Sequence, residues 1–340
     1  MKVLKKILIA IAVIVVLIVV IGFMLPKTRH VERFVVIDAP PCVVFAKVNG
    51  FQSFNDWSPF VAVVPDAEYE FTGPDFGVGA KISWAATKPK PEVGSQTIIA
   101  STPCERVDVE LDLGTQGHAQ STYLLQPEGE GTRLTWTFDT DFGLDIFGRY
   151  FGLILDRQLG PLYAQGLANL KRIAEDLPKI DWSDIEIGIT TVPSRTIAYT
   201  TGSSGREPGD IAAALGAAYG RVAVFVAAND LQLDGQPIAI SNYWDDRGFG
   251  FDAGIPVSGT PIRGAGPDSP VRMGETYGGS VVRAVNVGPY TGLEDTHERI
   301  YAFMEVHQLE SNGRSWEVFV SDPGNTPEDE LITEVYHPVK

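Results

Sequence analysis

The sequence predicts an α+β protein in three parts. They are an N-terminal transmembrane helix, a domain of antiparallel strands closed by one long helix, and a duplicated β-α-β-β domain. Three observations predict this. Nineteen residues from Ile7 to Leu25 carry no charged or polar side chain. Strand-like runs up to about residue 139 give way, from about Phe147, to apolar residues at helical spacing. Beyond residue 188, two successive segments repeat one order of elements.

The apolar run is close to the roughly 20 residues that span a bilayer. A cleaved signal peptide has a shorter apolar core and a small-residue cleavage site, and "GFMLPKT" offers none. Residues 1–27 are therefore expected to be a retained membrane anchor. Lys2, Lys5, Lys6 and the α-amine precede the run, and Lys27, Arg29 and Arg33 follow it. The slight excess before it predicts a cytoplasmic N-terminus and a body on the other side.

Residues 28–178 form the expected first domain. Val31–Ile37 reads as a strand, and the Pro40–Pro41 pair opens a short helix over Val43–Val48, proline being tolerated in a first turn. Strands follow at Ala80–Ala85, Ser95–Ser101, Arg106–Leu113, Ala119–Pro127 and Thr132–Asp139. One amphipathic helix is predicted from about Phe147 to Leu177, with Trp57, Trp84 and Trp136 lining or closing the core.

Residues 179–188 read as a linker and 189–340 as the second domain. Its halves align with "AGIPV" against "VYHPV", "LDGQPIAIS" against "SNGRSWEVF", and Arg195–Tyr199 against Val281–Val285.

The net charge is −16, although the first 30 residues carry only positive charges. So acidic a body repels phosphate backbones, and no nucleic-acid partner is expected. Cys42 and Cys104 stand alone, and the five histidines lack ligand spacing, so no metal site and no cofactor are indicated. The two cysteines suit either a disulfide or two buried thiols, and the sequence leaves this open.

The stretches "VERFVVIDAPPCVVFAKVNGFQSFNDWSPF" and "FGRYFGLILDRQLGPLYAQGLANLKRIAED" resemble the START-like superfamily (SRPBCC, polyketide cyclase/dehydrase-like) over about residues 30–178. That resemblance implies a helix-grip fold, often with an apolar cavity suited to a lipid or other apolar ligand. "VNVGPYTGL", "WEVFVSDP" and "ITEVYHPV" resemble the GyrI-like effector-binding family over about 186–340. This second resemblance implies two halves about a pseudo-two-fold axis, with a cleft for small, often aromatic or cationic, molecules. It also implies that Glu317, Glu334 and Tyr336 line that cleft.

Strand alternation sets Glu334 on one face with Ile332, Tyr336 and Pro338, and Glu317 with Phe319. The first half offers Ala239 opposite Glu317, and Ala253 or Gly254 opposite Glu334, so both carboxylates look like additions to one half. Phe319, Tyr199, Tyr243, Trp244 and Tyr290 are the further aromatic candidates. A carboxylate walled by aromatic rings is costly unless a cation or donors compensate, and aromatic faces add cation–π attraction.

The expected function is that of a membrane-anchored, bacterial-type small-molecule binding protein without a DNA-binding domain. Two alternatives stay open. One is a hydrolase using Glu334 or Glu317 as general base with Tyr336 as donor. The other is a non-catalytic envelope scaffold. Protein partners are not indicated.

Overall fold

The structure, a computed structural model, describes residues 2–86, 92–261 and 269–340. The chain divides into two compact units, Met1–Ser183 and Asp184–Lys340.

The first unit opens with helix α1 (Lys2–Met24). Its segment Leu4–Met24 is long and apolar enough to cross a membrane, a length and composition that a signal sequence shares. Then come β1 (Thr28–Ile37), α2 (Pro41–Val48) and two single-turn helices, α3 (Phe54–Trp57) and α4 (Phe60–Val63). Six more strands complete the sheet: β2 (Glu68–Thr72), β3 (Lys81–Ala86), β4 (Glu92–Thr102), β5 (Arg106–Asp112), β6 (His118–Glu128) and β7 (Gly131–Asp141). All pairings are antiparallel, in the order β1-β7-β6-β5-β4-β3-β2. Alternation is plain in β7, where Leu134, Trp136 and Phe138 are buried and their neighbours are not.

The expected single helix is two: α5 (Ile146–Phe151) and α6 (Leu155–Glu175). The break follows from a close approach. A Cβ at Gly152 would lie 2.9 Å from both Arg29 Cγ and the Phe142 ring, so chain is packed tightly against this turn. α6 packs over β1, burying Tyr163, Leu167, Leu170 and Ala174. Aromatic rings fill this grip. Trp136 stacks on Tyr163 at 3.7 Å and meets Trp57 edge-on at 5.4 Å, and its indole N–H donates to Ser121 Oγ at 2.8 Å. Trp84 is only half-buried. Cys42 of α2 and Cys104, in the turn after β4, form a disulfide that closes a separation of 62 residues.

The second unit holds β8 (Glu186–Val192), β9 (Thr196–Ser204), α7 (Pro208–Ala228), β10 (Gln232–Leu233), β11 (Ile238–Asp245) and β12 (Gly248–Ser258). It continues with β13 (Arg272–Glu275), β14 (Gly279–Val287), α8 (Leu293–Val306), β15 (Trp316–Phe319) and β16 (Ile332–Pro338). β8 takes up the last residues of the expected linker. The sheet is antiparallel, in the order β13-β9-β12-β11-β15-β16-β14-β8, with β10 beside β12.

α7 packs on β9 and β12, and α8 on β14 and β16. Though α7 is also long and apolar enough to cross a membrane, it supplies Val222, Phe225 and Val226 to a core with Ala198, Ile255 and Val257. The opposite face of the sheet gathers Ile197, Ile238, Ile240, Val281 and Trp316.

Reducing the Cys42–Cys104 bond frees a long loop in the unfolded chain, which should cost about 2–4 kcal/mol. Adding a thiol reductant to the detergent-solubilised chain should lower its urea midpoint. The Cys42→Ala/Cys104→Ala chain should start at the lowered midpoint and ignore the reductant.

Candidate functional site

Pairing in the second sheet decides where each candidate points. Ala239 of β11 stands directly opposite Glu317 of β15, and Glu317 opposite Val335. Glu334 stands opposite Val318 and Val285. Directly paired residues share a face, so Glu317 and Glu334 lie on opposite faces of the sheet.

Glu334 shares its face with Tyr336, and its oxygens are both engaged. Arg283 Nη2 donates to Oε1 at 2.6 Å and the Tyr336 hydroxyl to Oε2 at 2.5 Å. Arg283 Nη1 also donates to Glu186. Burial opposes the Glu334 charge, but the bonds from Tyr336 and Arg283 outweigh it and hold the carboxyl below its ordinary range. Burial and that same carboxylate push Tyr336 up to about 12. The Tyr336 ring stacks on Trp316 at 5.1 Å.

The sequence comparison sets Ala253 or Gly254 at the place of Glu334; the register sets Asp252 there. Pro256 faces Ile197 as Pro338 faces Val281, and counting back four residues, Asp252 faces Thr201 as Glu334 faces Val285. The same register matches Val281 with Ile197, two residues along from the sequence pairing with Arg195. Asp252 also has its arginine: Arg314 donates to Oδ2 at 2.6 Å, with Thr201 and Asn242 on Oδ1. Burial opposes its charge, and these bonds outweigh it and lower its pKa. Asp252 and Glu334 are thus each held by an arginine, whereas Glu317 stands opposite Ala239.

Glu317 lies on the helix-covered face and is only 8% exposed. α8 brings His297, whose Nε2–H donates to Glu317 Oε1 at 3.0 Å. His297 Nδ1 lies 2.8 Å from Nε2 of His337, on β16. These three form a chain in which both imidazole nitrogens of His297 are engaged. Burial, with His297 beside it, pushes His337 down to about 3. α7 brings Tyr219, whose ring meets Phe319 edge-on at 6.3 Å, while Tyr290 meets it at 5.5 Å. Tyr219 is raised above the ordinary tyrosine value by burial, then by the Glu317 charge and Tyr290. Among the described residues, the buried hydroxyls of Tyr219 and Thr333 have no hydrogen-bond partner. Such groups cost free energy unless something else satisfies them.

The remaining candidates divide between the faces. Tyr199 packs with the Ile238–Trp316 cluster, on the Glu334 side. Tyr243 follows a bulge in β11 and lies under the Arg247 guanidinium at 4.3 Å. Trp244, 45% exposed, meets Phe249 and carries Arg206 over its ring at 4.9 Å. Tyr290 joins Phe319 near Glu317. Sequence reasoning missed His297, His337, Tyr219 and Thr333. His297 and His337 are 40 residues apart, and only the packing of α8 on β16 unites them. Among the described residues no group of three or more His, Cys, Asp or Glu side chains is placed to hold a metal ion.

Comparison with known families fits this division. Residues 28–175 match the model of the polyketide cyclase / dehydrase and lipid transport family, and residues 185–340 that of the GyrI-like small molecule binding domain. The chain carries these two domains in tandem. Among solved structures, the EcmrR C-terminal domain is 12% identical, with TM-score 0.39, covering 46% of this chain and 98% of its own. A hydrolase from Listeria innocua is 18% identical (TM-score 0.34; 46% and 92% covered). Protein CV1439 from Chromobacterium violaceum is 19% identical (TM-score 0.33; 44% and 98% covered). No curated protein matches the chain.

The buried neutral state of His337 in the GyrI-like domain has a consequence for acid stability. The unfolded chain takes up a proton near 6.5 that the folded chain refuses until about 3. The stability this ring contributes is therefore complete above pH 6.5 and is lost as pH falls toward 3, at about 1.4 kcal/mol per pH unit. His337→Gln should flatten the fall in urea-unfolding free energy between pH 6.5 and 5. Equal slopes in the two chains would mean that the ring is not held neutral.

Proposed function

We propose that this chain is a membrane-anchored binding protein for small cationic, aromatic molecules, held at Glu317 in the GyrI-like domain. One observation carries the reading: Glu317 is a buried carboxylate among aromatic rings, present in one half of the sheet where the other has Ala239. Asp252 and Glu334 have arginine partners that satisfy them within the fold. Among the described residues, Glu317 has an imidazole and no arginine, with two unpartnered hydroxyls on the same face. A ligand cation would supply the missing charge, and Phe319, Tyr290 and Tyr219 would supply π-faces.

We read the strand order as two β-α-β-β halves, with a pseudo-two-fold axis between Ala239 and Glu317. β9, α7, β11 and β12 form one half, and β14, α8, β15 and β16 the other. Tyr219 of α7 and His297 of α8 both reach toward β15, which supports a shared cleft there.

The anchor reading rests on Arg149. This buried guanidinium donates to the carbonyls of Phe23 at 2.9 Å and Leu25 at 3.2 Å, at the carboxyl end of α1. Removing α1 would strip those acceptors from it. The disulfide and the basic residues before the span support a body on the non-cytoplasmic side. The acidic charge argues against a nucleic-acid partner.

Hydrolysis is the second reading, favoured by the unpartnered Tyr219 hydroxyl near the Glu317 charge, a donor beside a base.

Benzyltrimethylammonium is a suitable probe. It should raise the melting temperature of the full chain in detergent, and Glu317→Gln should weaken binding by 1.5–3 kcal/mol, roughly ten- to hundredfold. Glu334→Gln should lower stability and leave the affinity within about twofold, since a satisfied internal ion pair offers the ligand nothing. Loss of binding in Glu334→Gln with retention in Glu317→Gln would move the site to the other face. No binding by either chain or the parent would favour the scaffold.

A further inference from the structure

The polyketide cyclase-type domain bears an exposed apolar patch beside α1. Leu144 and Phe147 are 82% and 85% exposed, and Phe151, Leu153 and Ile154 stand exposed around them. These residues lie on α5 and its two flanking turns, where the chain leaves β7 for α6. A patch of this kind on a soluble surface marks an interaction site.

We infer that α5 and its flanks lie in the membrane interface and hold the first domain flat against the bilayer. This rests on reading α1 as a retained anchor. The occupant follows from how α5 is fastened. The Tyr150 hydroxyl donates to the carbonyl of Ile18 at 2.8 Å. Ile18 lies six residues before the end of α1, about 9 Å down the helix at 1.5 Å per residue. Interfacial elements bury about 5–10 Å into the headgroup boundary, so Tyr150 reaches α1 at that depth.

Gly22 permits the approach, because a Cβ there would lie 2.2 Å from Ile146. On the same short helix, Arg149 caps the carboxyl end of α1. α5 is thus continuous with the span, and its outward rings meet the medium that surrounds the span. Asp145 caps the first turn of α5, accepting from Phe147 N at 3.0 Å, which suits a helix end at headgroup level.

Spin-label quenching tests this. The native cysteines are paired, so single cysteines introduced by Phe147→Cys, Leu17→Cys and Glu328→Cys each take an environment-sensitive dye selectively. The full chains are placed in phosphatidylcholine vesicles containing lipids spin-labelled near the headgroup or deep in the acyl region. The dye at 147 should lose emission, more to the shallow label than to the deep one. The dye at 17 should be quenched by the deep label, and the dye at 328 by neither. Leu153→Cys should repeat the result at 147, which guards against a local distortion. Quenching at 17 without quenching at 147 and 153 overturns the proposal and leaves the anchor standing. No quenching at 17 removes the anchor, and the proposal with it. A dye at 147 shielded from aqueous iodide yet untouched by either lipid label would assign the patch to a protein partner, which also overturns it.

Discussion

The antiparallel contact between β11 and β15 is the join on which the second domain depends. It makes one continuous sheet of two short ones, and it sets Ala239 against Glu317. Every face assignment follows from it, since a slip of one residue would turn every side chain of a strand to the other side. In this register one face is covered by α7 and α8, while the other gathers Trp316, Tyr336 and the isoleucines. A glutamate at this join therefore stands among residues from both helices. The alanine opposite, with a single methyl, brings no second charge there.

Charge placement obeys that join. Asp252 and Glu334 occupy matching registers, and each is neutralised by an arginine. Arg283 comes from β14, beside Glu334, whereas Arg314 precedes β15 and reaches across to Asp252. An ion pair of this kind adds little net stability, but removing the arginine leaves a largely buried carboxylate without its charge partner. Such pairs fix geometry, and their satisfied oxygens have little left for a ligand. The Glu317–His297–His337 chain differs, because its carboxylate meets an imidazole in place of a guanidinium.

Much of this architecture was legible in the residues. The apolar run, the antiparallel strands and the amphipathic helical spacing all leave signals in the sequence. What escaped were properties of register and packing. Matching "AGIPV" with "VYHPV" residue for residue already sets Asp252 at the place of Glu334, so placing Ala253 or Gly254 there is a miscount that the strand pairing corrects. Reading alternation strand by strand assigned Glu317 and Glu334 their own faces but not their relation to each other, which depends on how β15 and β16 pair. No local signal joins His297 to His337, because helix and strand meet only through the fold. The break at Gly152 was hidden because the apolar spacing runs through it, and only the approach of Arg29 and Phe142 explains it. Of the interior implied by the first resemblance, the structure shows Trp57, Trp136 and Tyr163 in ring contact with one another.

The rings packed under α6 contribute to the stability of the first domain. Its exposed apolar surface lies outside, around Phe147. Its neighbour Arg149 is buried against the end of α1, and that arrangement needs α1 present: among the described residues, a guanidinium without the Phe23 and Leu25 carbonyls would keep the Gly143 carbonyl alone. α1 is thus part of the domain's own hydrogen-bonding, and the short helix that caps it also carries the exposed rings. The end of α1, its arginine cap and the apolar rim meet at α5, so α1 and α5 are held together by local packing.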